Sequence, residues 1–242
     1  MKKAEVCEII HNVGVVPAIR VSSAEDAHFA CEVIASGGIP IVEITMTVPE
    51  AVDLIAHLVS HHAKIVVGAG TVLNTEMAGR CIDAGAHFVT SPGLNLKVVE
   101  FAASREIATL PGAMTPTEVI EAWEAGSDFV KVFPCVDIGG ARYIKALKTS
   151  LPQIPLIAAG GVTQQTAMTF LLAGATAIGV GTELIPADAI SNREADRIRE
   201  LAHRFVGYVK DARSRMAPQN ESSAPGKTDF WKFHKHAKSD KR

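Results

Sequence analysis

The chain has 242 residues, nearly half of them hydrophobic (48%), 21% charged and only 5% aromatic, with a formal net charge of −2. That length fits one large α/β domain or two small ones, and the small net charge leaves no global field drawing the chain to nucleic acid or to a membrane surface. No apolar run is long enough to span a bilayer, the start MKKAEVCEII lacks the apolar core of a cleavable leader, and four cysteines without C-x-x-C spacing read as free thiols in a reducing cytosol.

In chain order, short apolar runs rich in Val, Ile and Ala predict strands: 13-VGVVPAIR-20, 39-IPIVEITM-46, 64-KIVVGAG-70, 86-AHFVTS-91, 106-EIATLP-111, 127-SDFVKVFP-134, 154-IPLIAAGG-161 and 175-ATAIGVG-181. Their starts recur roughly every 23 residues, and the stretches between them carry helical periodicity. In 48-VPEAVDLIAHLVS-60, Val48, Val52, Ile55 and Val59 share one face; 163-TQQTAMTFLLAG-174 opens on a capping Thr and closes on a Gly suited to C′. Four units end alike, in 35-ASGGIP-40, 84-AGAHF-88, 125-AGSDF-129 and 173-AGATA-177, as a repeating helix-to-strand turn with a left-handed glycine requires. Eight strands alternating with eight helices predict a single-domain (β/α)₈ TIM barrel of parallel strands over residues 1–216; an open doubly wound sheet is the runner-up. From residue 217 onward the apolar periodicity stops, and 217–242 carries six Lys/Arg against three Asp/Glu, the composition of a basic, disordered or loosely docked tail.

In such barrels, sites lie at the C-terminal ends of the strands. The polar residues expected there are Arg20, Glu43, Thr45, Thr71, Thr90, Lys131 and Thr182. Alternation puts Phe129, Lys131 and Phe133 on one strand face, and Ile41, Glu43, Thr45 and Thr47 on one face of another. Taken singly, Lys131 and Glu43 each read as readily as a buried salt bridge or snorkelling side chain as they do as groups that carry chemistry. Taken together they suggest more. Burial favours a lysine's neutral form, a neutral amine attacks carbonyl carbon to form a Schiff base, and a nearby carboxylate shuttles the protons.

Gly160 and Gly161 after strand seven, with Gly181 and Thr182 after strand eight, suit an anion such as phosphate, although plain tight turns use glycine too. Neither GAGT nor GVGT completes a dinucleotide fingerprint, since Leu73 and Leu184 occupy the third glycine position. No H-x-H or H-x₃-H pair falls at a strand end; His61 and His62 are expected as surface residues in the loop before strand three, and His234 and His236 as part of a solvated tail. Cys135 reads as a small packing residue.

These motifs together resemble a known family. From about residue 9 to 212, the runs 42-VEITM-46, 67-VGAGTVLN-74, 90-TSPG-93, 111-PG-112, 130-VKVFP-134, 160-GGV-162 and 181-GTELIPADA-189 are similar, in order, to the 2-keto-3-deoxy-6-phosphogluconate / 4-hydroxy-2-oxoglutarate aldolases, class I aldolases on a (β/α)₈ barrel. The resemblance implies that Lys131 forms the Schiff base and Glu43 is the general acid/base. It implies that Thr71 and Pro92 line the pyruvate half of the pocket, that Phe133 flanks the lysine, and that Gly160, Gly161 and Thr182 form the phosphate end. Two departures stand out. Thr47 occupies the place of an arginine in the pattern V-E-x-T-x-R-T, for which Arg20, similar to an arginine of the galactonate branch, could substitute. Ala159 stands where one branch has Thr and the other Val, so neither stereochemistry at the aldol carbon is implied.

The expected activity is reversible cleavage of a 2-keto-3-deoxy-6-phospho sugar acid or 4-hydroxy-2-oxoglutarate to pyruvate and an aldehyde, glyceraldehyde 3-phosphate or glyoxylate. No cofactor or metal is expected, and no nucleic-acid or membrane partner; the resemblance implies a cytoplasmic homotrimer. The alternatives are a metal-dependent pyruvate aldolase or phosphate-binding isomerase, with Lys131 acting electrostatically, and a non-catalytic sugar-phosphate binding protein.

Overall fold

Each of the eight apolar runs supplies a parallel strand, buried on both faces as its near-continuous apolar composition demands. The computed structural model describes residues 1–216, so the expectations for the 217–242 tail lie outside the described residues. The strands are β1 (Val15–Ile19), β2 (Ile41–Thr45), β3 (Val66–Gly70), β4 (Phe88–Thr90), β5 (Ala108–Leu110), β6 (Gly112–Ala113), β7 (Val130–Val132), β8 (Leu156–Ala159) and β9 (Ala177–Val180). They pair in the order β5-β4-β3-β2-β1-β9-β8-β7-β6.

There are nine segments rather than eight because Pro111, which has no N–H to give a ladder, divides the fifth strand into β5 and β6. The two edges of the sheet are therefore consecutive in the chain. Phe129 N donates to Thr109 O (3.2 Å) and Lys131 N to Pro111 O (2.9 Å) across the join, leaving a nearly closed (β/α)₈ barrel rather than an open sheet.

Around it lie α1 (Lys3–Val13), α2 (Ala24–Ser36), α3 (Ala51–His61), α4 (Thr75–Asp83), α5 (Leu96–Ser104), α6 (Pro116–Glu124), α7 (Gly140–Ser150), α8 (Ala167–Leu172), α9 (Ala187–Ser191) and α10 (Ala195–Met216). Ten described helices replace the expected eight: α1 precedes the first strand and packs on β5 and β9, while the last unit carries both α9 and α10. None of them is long and apolar enough to cross a membrane.

The repeating turn forms as its glycines require. Gly38, Gly85, Gly126 and Gly174 have φ of +92°, +95°, +92° and +103°. Two helices start later than periodicity suggests. α3 begins at Ala51 because Val48 N folds back onto Thr45 O (2.9 Å) and Glu50 takes a left-handed φ of 56°. α8 begins at Ala167 because Thr163 and Thr166 bond each other's backbone N–H through their hydroxyls. His61 is the last residue of α3, not a loop residue.

Candidate active site

The lumen is shaped by what two glycines leave out. Glu43 on β2 lies in register with Gly68 on β3, and Thr45 with Gly70. A Cβ on Gly70 would sit 2.3 Å from Glu43 Oε1, and one on Gly68 would sit 2.2 Å from the Phe88 ring. Both glycines vacate interior volume that Glu43 and Phe88 fill, a packing reason for G-x-G on this strand.

Lys131 enters from β7, four strands round the ring from β2 and so across the lumen. Its Nζ lies 3.5 Å from Glu43 Oε1, 3.4 Å from Thr90 Oγ1 and 5.5 Å from the centroid of Phe133. The side chains of Lys131 and Glu43 are only 13% and 5% exposed, so the charges have left water and face each other. At 3.5 Å the contact is longer than a well-formed N–H···O bond, which leaves the amine accessible to a third group.

Thr71, immediately after β3, is half-buried with φ of +61°. For a β-branched residue that conformation is an outlier of a kind that clusters at ligand sites. Pro92 is exposed, on a backbone turn that packs so closely on Gly112 that a Cβ there would meet the Pro92 carbonyl at 2.3 Å. Phe133 is half-buried against Gly160. Thr45 is fully buried, its hydroxyl donating to Ile19 O (2.9 Å) and bonded to Thr47 Oγ1 (2.7 Å), so it ties β2 to β1. Arg20 is exposed beside that tie and has no ion-pair partner among the described residues.

The expected anion end is a neighbouring feature. Gly160 (φ +87°) and Gly161 (φ +77°) follow β8, and Gly181 and Thr182 follow β9. A cleft of about 460 Å³ opens beside Thr182, walled by Gln164, Glu183 and, from α10, Arg197 and Arg204. Both arginines are already paired, Arg197 with Asp188 and Glu194, and Arg204 with Glu200.

Thr90, expected at the end of its strand, touches the amine, as its period-two spacing from Phe88 allows. One contributor did not stand out in the sequence. Gly70 makes room for Glu43 and was hidden inside GAGT. The thiols stay out of the chemistry: burial pushes Cys135 up to about 12, so it is a neutral packing group.

Fold and site together define a β/α-barrel enzyme with an amine and a carboxylate facing each other across its interior. A family model described as KDPG and KHG aldolase matches residues 6–201, and the chain belongs to that family: it is an aldolase, a lyase acting on a small keto-acid. The KHG/KDPG aldolase of Escherichia coli K12 is 33% identical over 197 residues, covering 81% of this chain and 92% of that protein. Among solved structures, the KDPG aldolase of Legionella pneumophila with pyruvate captured at low pH as a covalent carbinolamine intermediate superposes with a TM-score of 0.77 at 28% identity. That match covers 82% of this chain and 96% of the other. The 2-keto-3-deoxy-6-phosphogluconate aldolase of Zymomonas mobilis ZM4 with 3-phosphoglycerate gives 0.76 at 27%, covering 85% and 97%.

Proposed function

We propose that the chain is a class I aldolase in which Lys131 is the Schiff-base residue and Glu43 the proton carrier, cleaving a 2-keto-3-deoxy-6-phospho sugar acid or 4-hydroxy-2-oxoglutarate. The observation that carries the reading is the 3.5 Å contact between Lys131 Nζ and Glu43 Oε1 inside the barrel. Glu43 takes a proton from Nζ, and the amine adds to the keto carbon, giving a carbinolamine. Loss of water, with the proton supplied by the same carboxyl, leaves an iminium. A base then removes the proton of the C4 hydroxyl, the C3–C4 bond breaks, and its electron pair passes into the iminium to form an enamine while the aldehyde departs. Protonation at C3 and hydrolysis release pyruvate and free the lysine. The imine is itself the electron sink, so the reaction balances without a cofactor.

Thr71 and Pro92 line the pyruvate half in this reading, with Phe133 flanking the lysine. Gly160, Gly161, Gly181 and Thr182 take the phosphate or second carboxylate, Arg20 stands in for the arginine absent at Thr47, and Thr45 braces the Glu43 strand. Four unpaired cysteines fit a cytoplasmic setting, and the assembly is a homotrimer. Against a metal-dependent aldolase stands the placement of metal-capable side chains: among the described residues, the group of three lies on outer helices, not at the strand ends.

The test is borohydride reduction in the presence of pyruvate, followed by peptide mapping. A reduced adduct on Lys131 is expected, and in Lys131→Ala both adduct and turnover should be lost, by about 10³-fold or more for turnover. A folded protein that forms no adduct, or a Lys131→Ala variant that still turns over, would end this reading.

A further inference from the structure

The imidazoles of α2 and α3 gather on the outside of the barrel. α2 presents His28 and, one turn later, Glu32; α3 presents His57 and, one turn later, His61, with His62 following at its C-terminus. Ring centroids of His28 lie 5.3 Å from His57 and 5.6 Å from His62. One nitrogen from each of the three lies within 4.8 Å of the other two. Glu32 faces the group, its carboxylate oxygens 3.7 Å from His28 Nδ1 and 3.9 Å from His62 Nε2. His61 stacks on His57 at 4.2 Å, and its Nδ1 lies 2.9 Å from His57 O, so it holds that imidazole in place.

Three imidazoles and one carboxylate form the donor set of zinc and of other late divalent transition metals. Tetrahedral Zn–N bonds of about 2.0–2.1 Å bring ligand nitrogens about 3.4 Å apart. Closing from 4.8 Å needs only small χ rotations, which half-exposed and exposed side chains make freely.

We propose that His28, His57 and His62, with Glu32 as fourth ligand, form a site for one divalent transition metal that staples α2 to α3. The site is separate from the lumen where Lys131 and Glu43 meet. It binds the ion as a structural clamp, not as a participant in aldol cleavage.

The test uses the full chain carrying His234→Ala and His236→Ala, so that the tail histidines do not compete. After chelator treatment it is titrated with ZnCl₂ against a chromophoric chelator. One Zn²⁺ per chain is expected, with His28→Ala and His57→Ala each weakening binding about tenfold or more and Glu32→Gln by a smaller factor. Turnover should be unchanged by EDTA and in each variant, which also certifies folding. Co²⁺ on the unsubstituted cluster should give intense tetrahedral ligand-field bands; this decides the matter even if a variant unfolds. No zinc uptake, uptake that survives His28→Ala with His57→Ala, or an octahedral Co²⁺ spectrum would each overturn the proposal.

Discussion

Leaving out a methyl group at Gly70 matters more to the site than most of the side chains around it. A Cβ there would approach Glu43 Oε1 to 2.3 Å and Cγ to 2.7 Å, and Glu43 cannot retreat into solvent, being only 4% exposed. Gly70→Ala therefore displaces the carboxylate from Lys131 rather than deleting it. Overpacking of this kind costs about 1–3 kcal/mol of stability, while a proton carrier moved by an ångström loses much of its effect. The expected result is a folded protein with a somewhat lowered melting temperature and kcat reduced by about 10²-fold, a size typical of losing one acid/base group. Wild-type kcat in Gly70→Ala, measured by pyruvate release, would mean that the position of Glu43 is not critical. Lys131 and Glu43 also hold each other's charge inside the protein, so removing either leaves an uncompensated buried ion and blurs function with stability. Gly70→Ala keeps both charges and avoids that confusion.

At the scale of elements, the turn glycines separate backbone strain from packing. A Cβ on Gly126 meets nothing within 4 Å, yet its φ is +92°. Gly126→Ala should thus lose only the left-handed conformational term, about 1–2 kcal/mol, and leave kcat and KM unchanged; the urea midpoint and initial rates check both. That A-G turn was legible in the sequence, as were all eight strand positions, because parallel strands buried on both faces spell themselves as unbroken apolar runs. The division at Pro111 and the late starts of α3 and α8 were not, since they depend on which hydrogen bonds win locally. Lys131 and Glu43 stood out because a charge inside an apolar run is anomalous. The cluster of His28, His57 and His62 did not, because no periodicity along one segment shows that two helices will bring their faces together. His87 shows such a tertiary effect on charge. It precedes β4 and its Nδ1 accepts from Val67 N (3.0 Å), which only a neutral imidazole does. Burial and then the N-terminal charge push it below its ordinary 6.5. A histidine depressed on folding binds more protons unfolded, so its stabilisation is complete above about pH 6.5 and drains away as pH falls through the lower folded value. Urea midpoints should drop between pH 7.5 and pH 5, with a flatter slope in His87→Gln; equal slopes would assign the dependence to other groups.

For the whole molecule, the question is what covers the apolar surface left outside the barrel. Leu73, Leu96, Met114 and Ile120 are 52%, 40%, 45% and 39% exposed, and they fall on consecutive units: the turn before α4, the start of α5, the turn before α6, and α6 itself. These units adjoin, since α4 packs on α5 and α5 on α6, and Asn95 Nδ2 donates to Leu73 O (3.0 Å) between them. A clustered patch of large apolar side chains marks an association surface more often than isolated ones do. In the homotrimer proposed above the contact would be heterologous, this patch meeting a different surface of the neighbouring copy. Such a patch also lies near the C-terminal ends of β3 and β6, so association would brace the loops carrying Thr71 and Met114. Light scattering coupled to size exclusion should therefore return about three times the 25.7 kDa chain mass. Ile120→Glu with Leu73→Glu should reduce it to a single chain and raise KM through loosened loops, with the Lys131 adduct still forming on borohydride treatment. A monomeric parent would rule out the trimer, and a double variant that keeps the parent's mass would move the interface to another face of the barrel.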